Sequence, residues 1–284
     1  MFIRLSIVQI ALFISAIPTY SQNINSVTKD DVLEIPLTKN YPTVDGKDTD
    51  TCWQKVKWQP IDQIWMPYGS ELSPDDFSGK YKIVWSEEKN VLCFLVKTID
   101  DVFVDGYKYD SNPAIGDFYY NYDLLEVFVD EDRSGGPHIF DNEKTNAENA
   151  FAYHINVCSP KDGESTNKFV ACDLAGKDWG DHIIANYANH FKDFIMRKEG
   201  NEYTWEFSIG VYNDSYDANE PSKSSVKLTA GKEMGISLAY CDNDDADENP
   251  KMRDNFIGSV YANDKSWNDH WQNASGFRKA VLIK

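Results

Sequence analysis

The sequence predicts an all-β protein, an antiparallel β-sandwich of immunoglobulin-like or jelly-roll type. Three observations carry that expectation. Eight short apolar or alternating runs follow one another along the chain, polar turns separate them, and no segment sustains a 3.6-residue hydrophobic period. Many short strands joined by turns close into a sandwich or barrel. Aromatic residues make up 14% of the 284 residues, enough side-chain bulk for a sizeable core.

The runs, in order, are Tyr81–Trp85, Val91–Ile99, Leu124–Val129, Tyr153–Val157, Phe191–Arg197, Tyr203–Ile209, Met234–Tyr240 and Phe277–Ile283. Turns such as Ser86-Glu87-Glu88-Lys89-Asn90 and Glu199-Gly200-Asn201 divide them. Alternation assigns faces. Leu125, Val127 and Val129 point one way while Glu126, Phe128 and Asp130 point the other. Tyr203, Trp205, Phe207 and Ile209 share a face, with Glu206 opposite, where the expectation is a solvated sheet surface.

Ahead of the strands, Phe2 to Ile17 is apolar apart from polar positions such as Arg4, and ends at Pro18 before the small residues of Thr19-Tyr20-Ser21. That layout reads as a secretory signal peptide over residues 1–21. A polar lead-in follows over residues 22–40, and 41–284 reads as one domain. No later stretch reaches the ~20 apolar residues of a membrane span, so the expected location is secreted, periplasmic or at the cell surface. The formal net charge of −18 sets nucleic acid aside, because binding it needs clustered Lys and Arg. Of five cysteines, Cys158 and Cys172 are candidates to pair across a loop, while Cys93 sits in an apolar run as a small buried residue.

Two acidic segments have cation chemistry in their spacing. Asp130, Asp132 and Ser134 place oxygens at alternate positions before Gly135, a pattern that wraps a hard cation such as calcium. The other reading is a turn that bonds its own backbone. Asp242 and Asp244 lie in a denser run, which either a cation neutralises or water solvates; Asp100-Asp101 is a weaker candidate. Zinc-type histidine pairs, nucleophile elbows, phosphate loops and dinucleotide fingerprints are absent from the sequence. Aromatic clusters interleaved with polar groups remain, at Phe118-Tyr119-Tyr120-Asn121-Tyr122 and Trp267-Asn268-Asp269-His270-Trp271. Sugars present C–H faces to rings and hydroxyls to polar groups, so these clusters suit sugar stacking or, alternatively, plug the sandwich ends.

Several motifs in order resemble the family 9 carbohydrate-binding modules. They are Val44-Asp45-Gly46-Lys47 with Trp53, Val91–Asp101, Leu125-Glu126-Val127-Phe128-Val129-Asp130, Tyr203-Thr204-Trp205-Glu206, and Trp271 to Phe277 with Leu282-Ile283-Lys284. The resemblance implies a sandwich with structural calcium and a slot where two rings clamp a sugar. Carried over by motif, the rings fall on Tyr120 and Trp271, the hydroxyl-bonding carboxylate on Glu126, an amide on Asn268, and the basic contact on His154. The family's Trp is Tyr at 120 and its Arg is His at 154, which leaves the sugar open.

The expected function is therefore a non-catalytic carbohydrate-binding protein, with oligo- or polysaccharide of xylan or glucan type as ligand. Extracellular glycoside hydrolases are the expected partners. Two alternatives stand: an interaction sandwich that has lost sugar binding, and a hydrolase using Glu126 and Glu206 as its carboxylate pair.

Overall fold

The computed structural model describes residues 26–67, 72–105, 107, 119–138, 150–167, 190–216, 219–245, 252–263 and 269–284, and the backbone of 169–174. The signal-peptide reading, Phe118, Trp267 and Asn268 lie outside the described residues. Among the described residues no helix is long and apolar enough to cross a membrane.

Two sheets form. One contains β1 (Leu33–Pro36), β3 (Gln63–Met66), β6 (Leu124–Asp130), β7 (Phe151–Val157), β9 (Phe169–Leu174), β12 (Glu233–Asp242), β13 (Asn255–Gly258) and β14 (Arg278–Ile283). Its order is β1-β14-β12-β6-β7-β9, and β13 joins β12 to β3. The other contains β2 (Gln59–Ile61), β4 (Phe77–Ser86), β5 (Val91–Asp100), β8 (Ser165–Thr166), β10 (Phe191–Glu199) and β11 (Glu202–Gly210), in the order β2-β4-β5-β11-β10-β8. Each of the eight runs seen in the sequence is a strand, and the alternating face assignments hold. The pairing departs from a wholly antiparallel sandwich at β1, which lies parallel to β14.

Between the sheets lies the main core, where Leu125, Val127, Val129, Tyr153 and Ile155 meet Trp85, Leu92, Phe94, Val96, Trp205 and Phe207. Each sheet also buries its outer face. Over the first sheet, Trp65, Leu124, Phe128, Cys241, Phe256 and Phe277 form a second apolar cluster. Over the other, Trp53, from the short helix α1 (Thr51–Gln54), packs on Val84, Val91, Cys93 and Leu95. This double burial explains the continuous apolar run of β5, since a strand covered on both faces has no solvent side for polar residues to occupy.

Covered outer faces also correct the expectation for Glu206, which is fully buried. Its Oε2 accepts the backbone N–H groups of Asp45 and Gly46, each at 2.9 Å, and its Oε1 accepts Trp53 Nε1 at 2.9 Å. Gly46 is required there: its φ is +74°, and a Cβ would fall 2.6 Å from Arg197 Cβ. The Asp-Gly…Trp opening and the distant Tyr-x-x-Glu are therefore the two halves of one lock. Cys158 carries a free, exposed thiol, so the loop disulfide offered by its sequence position is not formed.

Candidate functional site

On the first sheet, β6 turns Glu126 outward, and the β6–β7 register sets His154 directly across from it. His154 Nε2 lies 3.5 Å from Glu126 Oε2. On the other side of β6, Cys241 of β12 donates its thiol to Glu126 Oε1 at 3.3 Å. Cys241 Sγ in turn accepts Arg253 Nη1 at 3.0 Å. The carboxylate thus sits in a chain of groups running from His154 to Arg253, with Glu126 and His154 both buried. Burial pushes the Glu126 carboxyl up, but His154, Arg253 and the thiol outweigh it and hold the group below its ordinary value.

Aromatic rings roof this polar floor. Tyr119 and Tyr120 come from the 3-10 turn Tyr119–Asn121 immediately before β6. The Tyr119 ring lies 5.0 Å from the His154 ring, and Tyr120 packs edge-on to Tyr119 at 5.4 Å. Arg253 sits between rings, 4.1 Å from the centroid of Phe256 and 5.4 Å from that of Tyr120. Trp271, half-buried like Tyr119 and Tyr120, packs against the same apolar cluster. The structure therefore brings Tyr120, Glu126, His154 and Trp271 to one face, while Tyr122 turns away to plug the neighbouring end with Val104 and Tyr107. Sequence reasoning missed Arg253 because nothing in its local pattern pairs it with β6; only the β12–β13 hairpin register brings it to Cys241.

Glu206 shares no cleft with Glu126. The chain neighbours of both residues face the common core, so the two carboxyls point outward from opposite sheets. That arrangement overturns the hydrolase pairing, which needs both groups flanking one bond.

At the strand ends beside the Tyr119 turn, Asp100, Asp123 and Asp242 are all buried, with carboxylate oxygens within 4.8 Å of one another. Tyr240 donates its hydroxyl to Asp100 at 2.7 Å, and Asn243 N donates to Asp123 at 3.0 Å. Burial, then repulsion from its neighbours, pushes Asp242 up to about 8; burial alone leads in raising Asp100 to about 6. Asp76, Asp101 and Asp244 form a second such group on the rim. Asp242 and Asp244 are thus set among carboxylates the linear spacing does not reveal, Asp123 and Asp76 above all. Asp130 lies at the other end of β6, where Gly135 N donates to its Oδ2 at 2.8 Å and Ser134 N donates to Asp132 Oδ1 at 3.0 Å. With Glu131, Asp132 and Ser134 this turn borders a cavity of about 200 Å³ that Ala150, Phe151, Tyr212 and Asp214 complete. Among the described residues, the Asp130 turn belongs to neither group of three metal-ligating side chains.

A two-sheet sandwich with a ring-roofed, charge-balanced patch on one outer face defines a ligand-binding module. The chain belongs to the carbohydrate family 9 binding domain-like family, whose model matches residues 44–284. Its fold is similar to that of a family 9 carbohydrate-binding module from Caldicellulosiruptor kristjanssonii in complex with cellotriose, at 18% identity and a TM-score of 0.58, covering 89% of this chain and 94% of that one. A family 9 module from the same organism in complex with glucose matches at 19% identity and a TM-score of 0.55, covering 88% and 95%. No curated protein matches the chain.

Proposed function

We propose that this protein captures carbohydrate without transforming it, at the outer face of the first sheet. The observation that carries the reading is the pair of half-exposed rings of Tyr119 and Tyr120 packed over the buried Glu126–His154–Arg253 floor, with Trp271 half-exposed on the apolar cluster of the same face. The rings offer stacking planes for sugar C–H faces, while the floor fixes their positions and supplies polarity beneath them. Asn268, three positions before Trp271 in the sequence, is the proposed amide contact. A β-glucan or xylan chain, or an oligosaccharide released from one, is the ligand class, in keeping with the cellotriose and glucose held by the related modules. Stacking plus a few hydrogen bonds corresponds to micromolar binding, about −7 to −8 kcal/mol.

Calcium fits the buried Asp100, Asp123 and Asp242, with Asp244 at the rim. The donors are all hard oxygens, and three carboxylates in so small a buried space demand either protons or a divalent cation. Bound there, calcium would tie the ends of β5 and β12 to the residue that leads into β6, next to the Tyr119 turn. The Asp130–Asp132–Ser134 turn is a second place for such an ion. The segment over residues 1–21 exports the chain, so the protein works at the cell surface, in the periplasm or outside the cell, beside glycoside hydrolases that generate or use its ligand.

Calorimetry of the exported chain with cellotriose, xylotriose and glucose tests this reading, with Trp271→Ala as the control. Binding that weakens tenfold or more in the variant while its thermal midpoint holds supports the assignment. The deep burial of Glu126 and His154 favours a second reading, an interaction module whose sugar slot has closed. No heat with any sugar, together with loss of folding in Trp271→Ala, would put that reading first.

A further inference from the structure

Trp271 lies on a turn whose place is fixed from two sides. Asp269 O accepts Gln272 N and Asn273 N at 2.9 and 2.7 Å. Residues 136–138 clip the far side: His138 N donates to Gln272 O, Ala274 N donates to Gly136 O, both at 2.9 Å, and Gly136 N donates to Ser275 Oγ at 3.0 Å. Beneath the turn are two buried histidines. The His270 ring is inserted between Trp65, stacked at 4.2 Å, and Phe277, stacked at 5.4 Å. Gly276 leaves room for it, since a Cβ there would lie 2.9 Å from His270 Cε1.

The two imidazoles are wired alike. His138 Nε2 lies 2.8 Å from the carbonyl of His270, and His270 Nε2 lies 3.2 Å from that of Gly276. A carbonyl only accepts, so each Nε2 carries hydrogen and each ring is held as one neutral tautomer. Each Nδ1 is buried with no hydrogen-bond partner among the described residues. A second proton would create a buried cation with an unmet donor in apolar surroundings.

We propose that His138 and His270 are positioning residues for the ligand-binding turn, a latch that sets Trp271 when both rings are neutral and lets it go when either is protonated. The inference rests on reading Trp271 as a ligand contact. The charged or titratable groups facing His270 are Glu126 of β6 and His138, and His138 also faces His154 of β7; Trp65, Phe128 and Phe277 are apolar. Glu126 favours a charged His270, yet it is already met by His154 and Cys241. Burial is the larger effect and pushes both histidines down to about 4 from the ordinary 6.5. The latch therefore holds fully above pH 6.5 and is lost as pH falls through about 4.

The test uses the full exported chain labelled with fluorotryptophan, the Trp271 resonance being identified by Trp271→Phe. At pH 7, His138→Ala should shift and broaden that resonance and weaken cellotriose binding about tenfold. His138→Gln, which keeps an N–H for the His270 carbonyl, should restore both. As pH falls from 7 to 4 the wild-type resonance should move, whereas the double variant His138→Gln/His270→Phe, which keeps the bond to the residue 270 carbonyl and the ring stack, gives up the one to Gly276 and cannot protonate, should stay flat. An unmoved resonance in His138→Ala, or parallel pH profiles for wild type and double variant, would overturn the latch. Should His138→Ala not fold, the double variant's profile decides. A resonance that behaves as described in a protein that binds no sugar leaves the latch standing and removes the ligand reading instead.

Discussion

Among the described residues, the two outer faces of the sandwich each bury one glutamate, outward on an alternating strand, and use it in opposite ways. Glu206 meets only N–H donors, from Asp45, Gly46 and Trp53, and among the described residues no basic side chain hydrogen-bonds to it. Burial outweighs those donors and lifts it to about 7. Glu126 lies among His154, Cys241 and Arg253 and is held below its usual value despite equal burial. A carboxyl surrounded by neutral N–H donors ties chain segments together. One balanced by basic side chains keeps its charge beneath a ring-lined surface. What surrounds the outward residue, and not its outward position, separates a fastening from a site.

The sharpest way to break this comparison is Glu206→Ala. It leaves three donors, two of them buried, without an acceptor and should cost roughly 3–5 kcal/mol in denaturant unfolding. A loss below about 1 kcal/mol would mean that the lock is not one. Glu126→Gln comes next. It leaves Arg253 buried beside a neutral amide, and should cost roughly 2 kcal/mol and also weaken sugar binding in calorimetry. Trp271→Ala should lower affinity tenfold or more, about 1.4 kcal/mol, with a smaller effect on the thermal midpoint.

The acidic strand ends give a pH test. Asp242 is raised to about 8, Glu206 to about 7 and Asp100 to about 6, all from ordinary values near 4. For acids raised in the fold, the stability contribution is complete below the ordinary value and is lost as pH rises through the folded value. In chelator, these three groups should lower the thermal midpoint progressively from about pH 4 to about pH 8. Millimolar calcium should flatten most of that slope, because the ion replaces the protons on the aspartates but not the one on Glu206. Equal slopes with and without calcium would remove the ion from the proposal. The smallest effect belongs to Cys158→Ser, which should change stability by less than about 0.5 kcal/mol, as expected of an exposed thiol outside any disulfide.

The long strands were legible because β4, β5, β11 and β12 carry seven or more residues of apolar or alternating pattern. The four residues of β3 or β13 hold too few periods to be read, yet β13 is what turns the chain back to bring Arg253 under Tyr120. In the same way, Glu126, His154 and Trp271 were found through short motifs, whereas the chain of groups from His154 through Glu126 to Arg253 depends on the registers of three strand pairs. Outwardness was visible for Glu206; burial was not, because its cover comes from a segment some 160 positions away.

The parallel pairing of β1 with β14 has a mechanical consequence. Leu33 lies beside Ala280 and Pro36 beside Ile283, so the chain enters this pair at one end and leaves it at the other. Tension applied through the two flanks slides one strand along the other and loads their hydrogen bonds together, in shear. An antiparallel hairpin pulled at its open ends would instead unzip, its bonds breaking in succession. The β1–β14 pair is thereby built to resist being pulled apart along the direction in which its flanks are pulled.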